Sequence, residues 1–351
     1  MESIKNVPFQ EIIGFLQEDS SPFPASLLYR FSDLSKQELD QVKTAWPAIS
    51  SARRVHLLED LEELALNNTL VLFDDIARIA IMDEDPEICK AAINLLWECE
   101  DPKLALILVA FTGKDHDPRV RETAAAALGK FIELGELDKI SPALLRKVEE
   151  TLLCLMNSPE SNPLRRHALE SLGYSGRKEV PSMIRAAFRS SDPLWVASSL
   201  FAMGRSADTA WEKYILQSIS HPDLDVQIEA VRAAGSLELS HARKPLLALL
   251  GEYEDMDEEL RRVTIWSLSQ IGGKGVGAAL NALLENSDDD DEAGFLDEAI
   301  ENLSLNEELG SFDIFDIDAS QDSQRIYDPS GEGWSDDDSD FDDDDDESED
   351  D

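Results

Sequence analysis

One ten-residue block recurs seven times between Ile88 and Ser304, and it limits the possible folds more tightly than any other feature. It reads apolar, three variable residues, small, apolar, two variable residues, apolar, then usually Gly or Ser. The copies begin at Ile88, Val120, Leu164, Trp195, Val226, Leu260 and Phe295, spaced by 32, 44, 31, 31, 34 and 35 residues. The fifth position is Ala92, Ala124, Ala168, Ser199, Ala230, Thr264 and Ala299, small in every copy. Positions one, five, six and nine share one face of a helix with about 3.6 residues per turn. A small residue at the centre of that face lets a second helix come close. The tenth position is Gly129, Gly173, Gly204, Gly235, Ser269 or Ser304, with Trp97 the exception. Glycine there relaxes or ends the helix, or permits close approach.

Start signals precede the blocks. Asp85-Pro86, Asp117-Pro118, Asn162-Pro163 and Asp192-Pro193 each offer a side chain to cap the free amides of a first turn and a proline suited to the first helical position. His221-Pro222-Asp223 and Asp255–Asp257 do the same less cleanly. Between blocks lies a second helical pattern: Leu104–Phe111, Pro142–Leu155, Val180–Phe188, Trp211–Ile219, Ala242–Leu250 and Val276–Leu284. Each unit is therefore two helices, neither of which can bury its apolar face alone, so the units must stack. The expected fold is all-α, an α-solenoid. The 44-residue spacing marks an enlarged loop near Glu133–Ser141 or a longer first helix.

Asp117-Pro-Arg-Val-Arg-Glu-Thr-Ala-Ala-Ala-Ala-Leu-Gly129 and Leu260-Arg-Arg-Val-Thr-Ile-Trp-Ser-Leu-Ser-Gln-Ile-Gly272 resemble HEAT repeats, closest to the short class also called phycobilisome-lyase HEAT-like repeats. The resemblance covers roughly 70–305. It implies a superhelix of stacked two-helix repeats, and a surface for varied partners rather than one set activity. Residues 1–69 do not fit the block. Phe9–Leu16, Ala25–Leu34, Lys36–Trp46 and Val55–Leu66 read as helices of an N-terminal cap over the first unit, or as a recruitment module.

Charge separates the body from the tail. The chain carries −43, and Asp288–Asp351 alone holds 29 acidic residues against Arg325. The remaining body is only −15. This argues against nucleic acid and anionic membrane as partners, because both demand clustered Lys and Arg. Beyond Asn306 the periodicity fades, and 306–351 reads as a disordered acidic tail. Within it, Phe312, Ile314, Phe315 and Ile317 alternate with Asp313, Asp316 and Asp318. That pattern is either a short docking segment or incidental apolar residues in a solubilising tail. No basic head followed by an apolar run opens the chain, and the longest apolar run, Leu104–Phe111, is too short to span a bilayer. Cys89, Cys99 and Cys154 make no Cys-x-x-Cys and read as small buried hydrophobes of a cytoplasmic protein.

No catalytic constellation stands out, and no cofactor is expected. None of His56, His116, His167, His221 and His241 is followed by Glu, the pairing through which some HEAT-like hydroxylases hold di-iron. Gly272-Gly273-Lys274-Gly275 lacks the spacing of a phosphate-binding loop. The resemblance leaves one enzymatic alternative, a lyase acting on a phycobiliprotein chromophore.

A candidate binding stripe follows from block positions three and seven, which lie off the core face. Arg166, Ile228 and Arg262 occupy position three; Phe201, Arg232 and Trp266 occupy position seven. Aromatics and arginines anchor protein interfaces. Around them, 163–206 carries seven basic and three acidic residues. Arg121, Arg165 and Arg261, at position two, read instead as ladders to the neighbouring unit. The expected function is a non-catalytic scaffold or adaptor that binds a protein partner on the second-helix face, which in HEAT-type arrays usually lines the concave side. The tail would extend or modulate that binding, by docking within the chain or by binding basic proteins as an acidic chaperone does.

Overall fold

A computed structural model describes residues 7–114, 116–251 and 256–311. The chain divides into two units, residues 1–307 and 308–351. The tail segment Phe312, Ile314, Phe315 and Ile317 lies outside the described residues, as does Asp255.

The chain opens with α1 (Phe9–Gln17), a 3-10 helix (Ala25–Phe31), α2 (Lys36–Ala45) and α3 (Ser51–Leu66). Helix pairs follow. They are α4 (Asp74–Ala80) with α5 (Pro86–Leu95), α6 (Pro102–Phe111) with α7 (Pro118–Glu136), and α8 (Pro142–Asn157) with α9 (Asn162–Leu172). Next come α10 (Val180–Phe188) with α11 (Pro193–Arg205), α12 (Glu212–Ser218) with α13 (Leu224–Ser236), and α14 (Arg243–Leu250) with α15 (Glu258–Ile271). The last pair is α16 (Val276–Asn286) with α17 (Asp290–Ser311). No strand occurs among the described residues. None of their helices is long and apolar enough to cross a membrane.

The block helices α5, α7, α9, α11, α13 and α15 form one continuous row, each packed on the block helix before it and on its own pair partner. Ala92, Ala124, Ala168, Ser199, Ala230, Thr264 and Ala299 are all 0% exposed, so the small-residue positions make a shared interior seam. Packing along the seam is the reason for the small side chains: a methyl at the centre leaves room for the next backbone. The block glycines serve the same contact. A Cβ on Gly173 would stand 2.7 Å from the backbone oxygen of Ala202 and 2.8 Å from its Cα, and one on Gly204 would stand 3.0 Å from Ala233 Cα. Gly173 has right-handed helical angles, φ −51° and ψ −35°, so close approach is its role and not left-handed termination.

The caps follow the sequence with one correction. Asp85, Asp117, Asp192, Asp223 and Asp257 each accept a hydrogen bond from a first-turn amide. At α9 the cap is Ser161, whose Oγ accepts from Leu164 N, and Asn162 is already inside the helix. Ser161 reaches the amide three residues on and leaves Pro163 in the first turn. The 44-residue spacing is not an enlarged loop. It is spent on helix: α7 has 19 residues and α8 has 16. The final acidic run also has a local job. Asp289 accepts from the amides of Asp291 and Glu292, and the negative first turn complements the helix dipole of α17. That helix continues to Ser311, past the residue where the apolar periodicity fades.

The N-terminal region extends the row, because α3 packs on α5 as α5 does on α7. Trp46 Nε1 donates to Asp83 Oδ2 at 2.7 Å, and Arg54 pairs with the same carboxylate, tying α2 and α3 to the first repeat. Two position-two arginines ladder to carboxylates as the sequence suggests, and Arg165 instead meets an aromatic ring of the next unit. Arg121 reaches Glu160 at 3.0 Å, Arg261 reaches Glu292 at 3.6 Å, and Arg165 lies 5.2 Å from the Trp195 ring centroid.

Cys89 and Cys99 are buried, but Cys154 is exposed, correcting the reading of three buried thiols. Cys154 sits on α8, on the exposed side of the helix. Burial, reinforced at Cys89 by Asp83 and Asp85, pushes the Cys89 thiol up to about 11; burial likewise lifts Cys99 to about 11. A thiol-specific reagent at pH 8 should therefore modify Cys154 rapidly, and Cys89 and Cys99 only after unfolding. Equal rates for all three in the native protein would contradict the described packing.

Candidate partner-binding groove

The row of block helices carries two adjoining concavities between α9 and α17. The larger, about 730 Å³, is bordered by α13, α15 and the start of α17. Ile228, Arg232, Arg262 and Trp266 all line it. The smaller, about 250 Å³, is lined by Arg166, Phe201 and Ile228. Ile228, Asp225 and Glu259 belong to both, so the six residues expected of the stripe meet along one surface.

Their environments differ from the simple stripe. Ile228 is only 4% exposed and forms floor, because its helix face turns into the unit interface. Trp266 remains 38% exposed and stacks on Phe295 of the next unit, ring centroids 6.3 Å apart at 29°. The Arg262 guanidinium lies 4.1 Å from the same Phe295 ring. Phe201 is half-buried, with the Arg205 guanidinium 4.1 Å from its centroid and 4.8 Å from that of Tyr174. Leu194 and Leu224 stay open at 43% and 41% exposure.

The position-based reading missed the carboxylates. Asp225, Glu229, Asp257, Glu258 and Glu259 line the two concavities together with Glu170, against Arg166, Arg232 and Arg262. Asp225, Glu258 and Glu259 belong to the first turns of α13 and α15. Acidic first turns are ordinary helix-dipole chemistry, so nothing marked these residues as groove lining. Stacking places those first turns at the groove's rim. The basic excess of 163–206 does not carry into the groove: Arg177 is tied to Glu179 at 2.8 Å and Arg205 is held beneath the surface, its Nη1 donating to Glu170 O at 3.3 Å.

Charge at the groove floor is tightly arranged. Arg232 is shared by Glu229 and Glu259, each at 3.3 Å. Burial pushes the Glu229 carboxyl up to about 7; Arg232 opposes this, while Glu170 and Glu259 add to it. Its Oε2 is held by the Arg232 Nε ion pair without a well-aligned hydrogen bond, and Arg166 Nε finds no acceptor among the described residues. Glu170 goes the other way. Burial works against its charge, but hydrogen bonds from His167 at 2.8 Å and Ser198 at 2.5 Å, with Arg205 nearby, hold its carboxyl below the usual range.

A further concavity of about 410 Å³ lies toward the N-terminal end of the row, lined by Trp97, Lys130, Tyr174 and Arg205 among others. Trp97, 49% exposed, is the residue that breaks the Gly/Ser rule at position ten, a departure that the sequence did show. Among the described residues no three His, Cys, Asp or Glu side chains gather as a metal-binding group.

The family model described as HEAT repeats matches residues 75–152 and 212–304. The block pattern and the paired helices run on through the interval between them. No curated protein sequence matches the chain. Among solved structures, the complex of CpcE and CpcF of phycocyanin lyase from a Nostoc species is similar at 20% identity and TM-score 0.43, over 66% of this chain and 94% of that one. Human deoxyhypusine hydroxylase is similar at 16% identity and TM-score 0.33, over 75% of this chain and 95% of that one. Importin beta is similar at 12% identity and TM-score 0.35, over 85% of this chain and 51% of its own.

Proposed function

Since this chain is a HEAT-repeat protein whose block helices line an open, aromatic-bearing groove, we propose that it is a non-catalytic scaffold or adaptor for a protein partner. The partner docks across the groove between α9 and α17, on the concave side of the array. Supporting this reading above all is the combination of Trp266, Leu194 and Leu224, large apolar side chains left open beside a half-buried Phe201. Aromatic and aliphatic anchors of this kind, ringed by charge, are what protein interfaces bury. The acidic tail modulates or extends that binding, and the protein works in the cytoplasm, where Cys89 and Cys99 stay reduced.

Affinity purification with the full chain and with Phe201→Ala plus Trp266→Ala tests the docking face. Loss of the captured partner, with unchanged helical content, is the expected result. Truncating two central anchors should weaken binding by about 10-fold or more. Retention of the partner at the same yield would move the interface elsewhere. Deleting residues 312–351, which leaves α17 whole, tests the tail separately: a salt-dependent change in partner affinity is expected, and no change would assign the tail to solubility alone.

A further inference from the structure

Resting on the docking face just proposed, the inference here concerns the chemistry of what docks. We propose that the groove takes a partner segment bearing a Lys or Arg side chain beside a bulky apolar residue, the cationic head entering the smaller concavity and the apolar residue the larger.

Three observations carry this. The first is the wall of the smaller concavity. Glu170, Asp225, Glu229 and Glu259 line it, with Arg166 the basic residue among its lining. Arg232 approaches from the larger side and is already divided between Glu229 and Glu259. The Asp225 side chain is exposed and makes no hydrogen bond or ion pair with another described residue. An acidic partner would bring like charge onto these carboxylates and be disfavoured. A cation meets complementary charge.

The second is the shape of the apolar part. Leu194, Ala197 and Phe201 share the smaller concavity with those carboxylates. A long aliphatic stem needs such a wall while its charged head reaches polar partners, the arrangement in which Lys and Arg side chains bury best. Next to it, Leu224, Trp266 and Phe295 line the larger concavity around Ile228, which suits one bulky apolar residue. The two concavities adjoin through Asp225, Ile228 and Glu259, so neighbouring residues of one segment can fill both.

The third is the crowding of carboxylates around one arginine. Glu229 Oε2 pairs with Arg232 Nε at 3.3 Å without a well-aligned hydrogen bond, and the same guanidinium is shared with Glu259. A cation seated among Asp225, Glu229 and Glu259 relieves the crowding of like charge around that carboxylate. Position three of α9 and position seven of α13 thus hold arginines that set limits on the acidic field, while the acidic first turns of α13 and α15 supply its excess.

The test uses the full chain and two labelled synthetic peptides, Gly-Ser-Arg-Leu-Arg-Leu-Gly-Ser and its twin with Glu in place of both Arg. Fluorescence anisotropy should show binding of the Arg peptide and none of the Glu twin. Asp225→Lys plus Glu259→Lys should weaken the Arg peptide by about tenfold or more. Trp266→Ala should weaken it severalfold at any salt concentration, since that part of the contact is apolar. The charge-reversed protein keeps the whole acidic tail, so attraction to the tail alone would leave its affinity unchanged. Undiminished binding by the charge-reversed protein overturns the inference. So does equal binding of the two peptides, or no binding of the Arg peptide up to ~1 mM. The two levels are separable. A captured partner that is lost by Phe201→Ala plus Trp266→Ala but kept by Asp225→Lys plus Glu259→Lys leaves the docking face standing and removes its cationic ligand.

Discussion

Substituting valine for Gly173 should lower the unfolding free energy by ~3 kcal/mol or more, and alanine there by about 1–3 kcal/mol. The reason is local and rigid. A side chain at Gly173 meets the oxygen and Cα of Ala202, backbone atoms of the next block helix, at 2.7 and 2.8 Å. Backbone cannot turn aside as a flexible side chain can, so α9 and α11 would have to separate. Separation opens the seam on both sides, where Ala168, Leu169, Leu200 and Ser199 are all fully buried. The defect would reach α13 as well, because a repeat array is stabilised by its neighbour interfaces as much as by its single units. Gly14→Ala is the matched control. Its Cβ meets nothing within 4 Å on the helix α1, so the change should be neutral or gain up to about 1 kcal/mol from helix propensity. Urea unfolding of the two variants measures both. Equal midpoints for Gly173→Ala and Gly14→Ala would show that the block glycines do not set the spacing of the units.

Glu229→Gln should stabilise the protein at pH 8 by up to about 3 kcal/mol, and the gain should shrink toward zero by about pH 4.5. The folded-state value, near 7 against 4.5 for the free side chain, means that the native state holds this proton more tightly than the unfolded chain does. The stability it contributes is therefore fully present below about 4.5. It is lost as pH rises toward 7, and the loss is complete above that. Burial is the main cause, with Glu170 and Glu259 adding to it, so a neutral amide of the same shape removes the penalty. Arg232 would keep Glu259 at 3.3 Å as its partner. Melting temperatures of wild type and Glu229→Gln across pH 4.5–8 should converge at the acid end and diverge at the alkaline end. Parallel curves would contradict the raised carboxyl. A carboxylate that costs stability in a groove is what a binding site retains when its charge serves a ligand.

Much of the fold was legible because a single physical requirement repeats. Ala124, Ala168 and Ala230 are small for the same reason, and their period of two helices per unit survives every change in loop length. The caps were legible where Asp precedes Pro, and failed at Ser161 because a neighbouring Asn-Pro imitates the same signal. Cys154 was misplaced because a residue's burial depends on which face of a long helix packs, and α8 is longer than its counterparts. The groove was legible only in part. Positions three and seven named Arg166, Phe201, Ile228, Arg232, Arg262 and Trp266, which line the two adjoining concavities. They could not give the Trp266–Phe295 stack or the carboxylate rim, because both arise from the rotation of one unit on the next. That rotation is a property of the stacked interface and is written in no single repeat.

Hydrogen exchange of the full chain, alone and with its captured partner, tests the docking surface most directly. If the partner sits in the groove, amides in the first turns and exposed flanks of α11, α13 and α15 gain protection. Phe201→Ala plus Trp266→Ala abolishes that gain. Protection confined to residues 7–66, or to the opposite row of α10, α12 and α14, would contradict it.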